Sequence, residues 1–183
     1  MKLLGAFFTL LIGILLFISC ARDDEQVTPL SNDFSNQKIV VVEDGNECQD
    51  LMAGQNMDAG DGCVSIIDSN MRVTYPTSGN WHMNELHLWV GMNLMDMPVN
   101  KKGNPQIGKF PYSMVFMNGV NTYQFNIPLK DLGIIDSADC DYRIYFAAHA
   151  VVEDSFRTET AWGNGDQILN GGSWATYWWV DFT

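Results

Sequence analysis

The sequence predicts an all-β domain: an antiparallel β-sandwich of about seven to eight short strands with two long loops, a closed barrel being the alternative. Three observations lead there. From Lys38 onward no stretch of ten or more residues holds the 3.6-residue period of an amphipathic helix. Alternating or β-branched runs are instead punctuated by clusters of Gly, Pro, Asn, Asp and Ser. At 183 residues, 46% hydrophobic and 12% aromatic, the chain can fill one core without help from metal.

Taken in order, the β-branched run at residues 39–42 opens the domain. Residues 63–67 and 71–75 flank Asp68-Ser69-Asn70, a hairpin closed by turn formers. Pro76, Ser78, Gly79 and Asn80 make a second turn. Residues 81–90 form a long strand in which Leu86, Leu88 and Val90 share one face, and Trp81, Met83, Glu85, His87 and Trp89 the other. Asn118-Gly119, between residues 113–117 and 120–127, is the strongest short hairpin signal, since both residues tolerate the positive φ of a type I′ turn. Residues 129–133 read as one helical turn. Residues 142–152 are apolar on both faces, as in a central strand covered on both sides, and residues 174–182 form an aromatic terminal strand. Two segments are too long and too broken for hairpin connections: 96–112, with Pro98, Gly103, Pro105, Gly108 and Pro111, and 153–173, with Gly163, Gly165, Gly171 and Gly172. Long ordered loops of this kind are often functional.

Ahead of the domain lies a different composition. Lys2 is followed by an apolar run from Leu3 to Ile18, shorter than the roughly 20 residues a spanning helix needs, and then by Ser19-Cys20. This resembles a bacterial lipoprotein signal, which implies removal of residues 1–19 and a diacylglycerol on the Cys20 thiol, a lipid that metabolic palmitate would label. Residues 20–37, with Asp23, Asp24, Glu25, Pro29 and Ser31, are too polar to bury a core and read as a flexible acidic tether. Flexible chain of that length reaches roughly 20–25 Å from the lipid. The acidic triplet Asp23-Asp24-Glu25 resembles a surface-export signal of Bacteroidetes lipoproteins, which implies a cell outer membrane protein facing outward. The remainder, 38–183, is the β-sandwich domain.

Charge narrows the partners. Ten Lys and Arg stand against 22 Asp and Glu, a formal net charge of −12. Such a surface repels phosphate backbones, which argues against nucleic acid, and leaves the lipid as the route to the membrane. Cys48, Cys63 and Cys140 remain after lipidation, so at most one disulfide forms. Of three possible pairings, Cys48–Cys63 closes the shortest loop and is favoured. No spacing resembles a CxxC motif.

The order of motifs after Ala53 resembles a family of secreted bacterial domains found in Bacteroidetes surface proteins. Its carriers here are Ala53-Gly54-Gln55, Val73-Thr74-Tyr75, Trp81 with Glu85-Leu86-His87-Leu88, and Gly103-Asn104-Pro105 leading to Phe110-Pro111-Tyr112. Further along come Ala147-Ala148-His149-Ala150-Val151-Val152, Glu159-Thr160-Ala161-Trp162 and Trp174-Ala175-Thr176-Tyr177. The resemblance implies an extracellular β-sandwich module and supplies no reaction. Asp61-Gly62-Cys63 departs from the family pattern, which more often continues directly into a strand.

Glu85 and His87, two apart in a strand, share a face, and His149 lies mid-strand among apolar neighbours. With Glu159 they form a set able to bind a ligand or metal if the strands adjoin, although a strand histidine more often pins a connection by a hydrogen bond. Trp174, Trp178 and Phe182 fall on one strand face and Tyr177 and Trp179 on the other, where core packing is the default. Trp162, in the Gly-rich loop, is the candidate for an exposed ring. Asp58, Asp61, Asp136, Asp139 and Asp141 lie in loops but lack the DxDxDG register of a calcium loop. No GxSxG, HExxH or Gly-rich phosphate loop is present, and no cofactor is implied. The expectation is a non-catalytic binding or adhesion module for a glycan or protein partner, with Glu85, His87, His149, Glu159 and Trp162 as candidate ligand-binding residues. The alternative is a metal-dependent or acid/base hydrolase using the Glu/His cluster.

Overall fold

A computed structural model of the chain describes residues 47–134, 141–168 and 172–182. The expected signal, Cys20, the tether, the strand at 39–42, Asp136, Asp139 and Cys140 lie outside the described residues. Among those described, ten strands follow in chain order. They are β1 (Glu47–Ala53), β2 (Met57–Ile67), β3 (Asn70–Pro76), β4 (His82–Gly91), β5 (Tyr112–Val120), β6 (Thr122–Pro128), β7 (Tyr142–Glu153), β8 (Thr158–Gly163), β9 (Asp166–Gln167) and β10 (Thr176–Phe182). The only helical segments among the described residues are short 3₁₀ turns, one of them at Leu129–Leu132, capped by Gly133 in the left-handed region.

The fold is all-β and antiparallel, as the sequence predicts. Instead of two stacked sheets, one hydrogen-bonded path runs β5-β4-β7-β8-β1-β2-β3-β6, with β10 added to β7 and β9 added to β10. The two ends of that path, β5 and β6, are separated in the chain by Asn121 alone. The sheet must therefore curl until its ends meet, and it forms a nearly closed barrel. Phe116 and Tyr123 face each other there with ring centroids 5.1 Å apart. Asn121 holds the corner: its carbonyl accepts from the Thr77 N–H at 2.8 Å, and its side-chain amide donates to the Trp81 carbonyl at 2.9 Å.

Local chemistry explains where strands turn. In the β2–β3 hairpin Ile67 pairs with Asn70, so the loop is only Asp68 (φ 50°) and Ser69 (φ 61°), both in the left-handed region that a type I′ turn demands. Asn118-Gly119, by contrast, is not a hairpin turn. The chain stays in β5 through Val120, and the register against β4 jumps from Val115 opposite Glu85 to Val120 opposite Met83. Asn118 and Gly119 lie in a bulge, where Gly119 has φ 62° and a Cβ added to it would come within 2.3 Å of the His82 ring. Gly119→Val should lower stability by roughly 1–3 kcal/mol, the usual cost of enforced backbone strain. An unchanged urea midpoint would show that the bulge can move elsewhere.

β4 carries an irregularity of its own, having one residue more than β7 between Met83 and Glu85, which face the consecutive Val152 and Val151. Register shifts between Met83 and Glu85, which puts Met83 into one core with Leu86, Leu88 and Val90 instead of on the face of His87. Strict alternation through Asn84 is thus broken, and Trp81 and Met83 point into the barrel while His87 and Trp89 point out. The barrel interior is filled from every side by fully buried chains, among them Leu51, Val64, Val73, Tyr75, Ile127, Ile144, Phe146 and Val152.

Outside the barrel, against β4, β7 and β8, sits a second core of Trp89, Met97, Phe110, Ala147, Trp162 and Ala175. It exists because both long loops fold back over the sheet. Asn100 Oδ1 accepts from the backbone of Lys102 and Asn104, tightening the first loop. The Asn104 side chain in turn accepts from Ser173 N at 3.2 Å, which ties it to the second. The apolar outer side of β7 is the sequence-level sign of this cover.

Cys48 and Cys63 are directly opposed in the β1–β2 ladder and form a disulfide across 15 residues of sequence. β1 has an otherwise unremarkable strand signature, Glu47, Gln49 and Asp50 being polar. Closing that loop should contribute roughly 2–3 kcal/mol by restricting the unfolded chain. The Cys48→Ser, Cys63→Ser double variant is expected to lose this amount in urea unfolding, and dithiothreitol should then no longer affect its midpoint. A variant as stable as the parent would show that the ladder alone holds β1.

Candidate functional site

Three neighbouring strands place the sequence candidates. His87 on β4 lies opposite His149 on β7, and His149 lies opposite Trp162 on β8. Glu85, His87, His149 and Trp162 therefore form a row across the outer face. His87 Nε2 and Glu85 Oε1 are 2.6 Å apart, the close pair that two side chains at i and i+2 of a strand can make. The imidazoles of His87 and His149 have centroids 5.6 Å apart, and the Trp162 ring stands edge-on to His149 at 5.0 Å. Phe110, from the first long loop, closes on Trp162 at 6.5 Å.

Burial governs the chemistry of this row. His149 is 4% exposed and its pKa falls to about 4, chiefly because burial disfavours the imidazolium and further because His87 is adjacent; Glu85 opposes the shift weakly. The Nδ1 atoms of His87 and His149 are both buried without a hydrogen-bond partner. For His149, whose pKa is lowered, the unpaired Nδ1 fits a ring packed in its neutral form. Among the described residues no group of three or more His, Cys, Asp or Glu is arranged to hold a metal ion.

Several expectations need correction. Glu159 does not join the row. It pairs with Val152 on the face shared by Ala150 and Ala161, whose side chains fill the barrel, and its carboxylate approaches Gly54. Alternation along β8 thus sends Glu159 and Trp162 to opposite faces. Trp162 is not an exposed loop ring either: it lies in β8 and is 6% exposed, because both loops pack over it. Trp174, expected on the face of Trp178, precedes β10 and packs in the outer core. Asp58 and Asp61 lie in β2 instead of a loop, and Asp58 Oδ1 is used to accept from Gly60 N at 2.8 Å.

Other groups stand on the surface that the sequence candidates did not include. On the outer face of β7 and β10, Tyr145, Tyr177 and Trp179 form a half-buried row with centroids 6.1 to 6.3 Å apart. Arg143 lies 5.1 Å over the Trp179 ring and forks onto Asp181 through two hydrogen bonds of 2.7 and 2.8 Å. The guanidinium is held well above its already high range by that carboxylate. The available signal was the alternation of Arg143 and Tyr145 against Ile144 and Phe146. Beside this row, where β1 and β8 end against β9 and β10, a cleft of about 230 Å³ is lined by Met52, Trp162, Trp174, Gly165 and uncharged polar side chains. No family model, curated protein or solved structure matches the chain.

Proposed function

We propose that the chain is an outer-membrane lipoprotein of Bacteroidetes type, anchored through lipid on Cys20 and facing outward, whose β domain is a non-catalytic binding or adhesion module for a glycan or protein partner. The observation that carries this reading is the outward row of Tyr145, Tyr177 and Trp179 with Arg143 fixed across it. Rings of this kind, rigid and amphipathic, together with Arg are the side chains that dominate binding energy at recognition surfaces. Trp179 belongs to neither core and is only half-buried, so part of its ring is open to a partner.

The hydrolase reading keeps one observation in its favour, the 2.6 Å pair of Glu85 and His87. Against it stands the cover over His149 and the loss of Glu159 from the cluster. Two measurements separate the readings. The Cys20→Ser variant should lose metabolic labelling with palmitate and leave the membrane fraction. Trp179→Ala should weaken retention of the protein on a glycan array or on a purified surface partner by about tenfold while the protein remains folded, its melting temperature falling only modestly. Turnover of aryl glycosides or esters that disappears in Glu85→Gln would replace the binding module with the enzyme.

A further inference from the structure

The cleft beside the aromatic row has a chemical character of its own. Its lining includes the indoles of Trp162 and Trp174, the side-chain amides of Gln55, Asn164 and Gln167, and the Thr176 hydroxyl, and it contains no charged group. On a chain of net charge −12 an uncharged cleft is a selective feature. The three amides are exposed and make no side-chain hydrogen bond to protein among the described residues. Each offers one acceptor oxygen and two N–H donors. A ligand with adjacent groups that both donate and accept would satisfy them, and vicinal hydroxyls do so.

Its construction is fixed in advance. Gly165 lets the β8–β9 connection lie against β10, since a Cβ there would come within 2.1 Å of the Tyr177 carbonyl. Thr176 Oγ1 donates to the Gly163 carbonyl at 2.6 Å, and Asn164 N donates to the Asp50 carbonyl at 2.7 Å. Trp174 is placed by its packing in the outer core and by the bond from neighbouring Ser173 to Asn104. The frame of the cleft is thus preset, and binding has only the exposed amide side chains left to order. The volume, about 230 Å³, lies below the 300–1,000 Å³ typical of drug-sized ligands and suits a single ring.

We propose that this cleft is a subsite for one neutral pyranose unit of a glycan, with Trp174 against the C–H face of the ring and Gln55, Asn164 and Gln167 pairing with its hydroxyls. The inference rests on the binding-module reading and names its ligand class. The test is a titration of the full-length lipoprotein, in a non-glycosidic detergent, with the methyl glycosides of glucose, galactose, mannose and N-acetylglucosamine, followed by tryptophan fluorescence and calorimetry. At least one should saturate with a dissociation constant on the order of 1 mM, as expected for so few contact atoms. Trp174→Ala should weaken it about tenfold and Trp174→Phe much less. Because Trp174 also packs in the outer core, the Asn164→Ala, Gln167→Ala double variant is the cleaner probe: its side chains are exposed, so the melting temperature should hold while affinity drops about tenfold.

Absence of saturation by every neutral glycoside overturns the subsite, as does equal affinity in the amide double variant. Preference for glucuronate over glucose overturns the neutral assignment. If no sugar binds while Trp179→Ala still abolishes retention on a protein partner, the subsite falls and the binding module stands. Loss of partner retention nowhere, together with saturable sugar binding sensitive to the amides, retains the subsite and removes the aromatic row as the docking surface.

Discussion

Trp178→Ala should cost about 3–5 kcal/mol, the range for deleting a large aromatic side chain from a core that cannot collapse around the gap. Trp178 is 3% exposed and stacks on Phe146, with centroids 5.2 Å apart and planes 18° from parallel. The sequence has made room for it on two other strands. A Cβ on Gly163 would lie 2.4 Å from its ring, and one on Gly62 3.3 Å from it. β10 pairs along only part of β7 and packs against β8, and this indole fills the barrel beside Gly163 of β8 and Gly62 of β2. Its Nε1 is buried without a partner. Trp178→Phe keeps the stack and removes that unpaired donor, so it should cost no more than roughly 1–2 kcal/mol. Urea unfolding of the two variants beside the parent measures both. A loss under about 1 kcal/mol for Trp178→Ala would mean that β10 is not part of the cooperative core.

What the sequence made legible followed from patterns that one strand carries by itself. The turn at Asp68 and Ser69, the long strands β4 and β7 and the helical turn at Leu129 could be read because side-chain period and turn chemistry are local. The disulfide could be favoured because loop length is local too. The sandwich arrangement was not readable in the same way, since two stacked sheets and one curled sheet demand the same alternation. What decides between them is Asn121, a single residue joining strands at opposite ends of the path. The bulge at Asn84 was invisible for a related reason: one extra residue on β4, set against consecutive Val152 and Val151 of β7, has no turn-forming signature, while the positive-φ chemistry of the irregularity opposite it on β5, around Asn118 and Gly119, looked like a hairpin. The candidate row was half legible. Glu85 and His87 needed only the i, i+2 rule and His149 only an adjacent strand, but Glu159 required the β7–β8 register, which no spacing reveals. Nor could composition show that Phe110, Ala147, Trp162 and Ala175, drawn from four separate motifs, meet in one outer core. The amides of Gln55, Asn164 and Gln167 carry no pattern at all and acquire meaning only where β1, β8 and β9 converge.

Lowering the pH from about 7 to about 4 should remove roughly 3 kcal/mol of stability through His149 alone. In the unfolded chain this imidazole titrates near its ordinary value, about 6.5, whereas in the fold burial and the neighbouring His87 hold it down to about 4. Between those values the unfolded chain binds a proton that the folded chain refuses. The contribution is therefore complete above about 6.5 and drains away as the pH falls toward 4, at about 1.4 kcal/mol per unit. Because His149 is 4% exposed, solvent screens little of this. Asp61, whose pKa is raised by burial and by Asp50 and Asp58, acts in the opposite sense but is far more accessible. His149→Leu tests the assignment. With its Nδ1 already unpaired, the histidine gives up no hydrogen bond there on replacement by an apolar chain of similar size, so stability at neutral pH should change little while the slope between about 6.5 and 4 flattens. A variant that keeps the parent slope would place the acid sensitivity on carboxylates. A metal held by His87 and His149 would show differently, since EDTA would then lower the melting temperature of the parent and leave the variant unaffected. The expected result is a melting temperature indifferent to EDTA and an acid limb that belongs to His149.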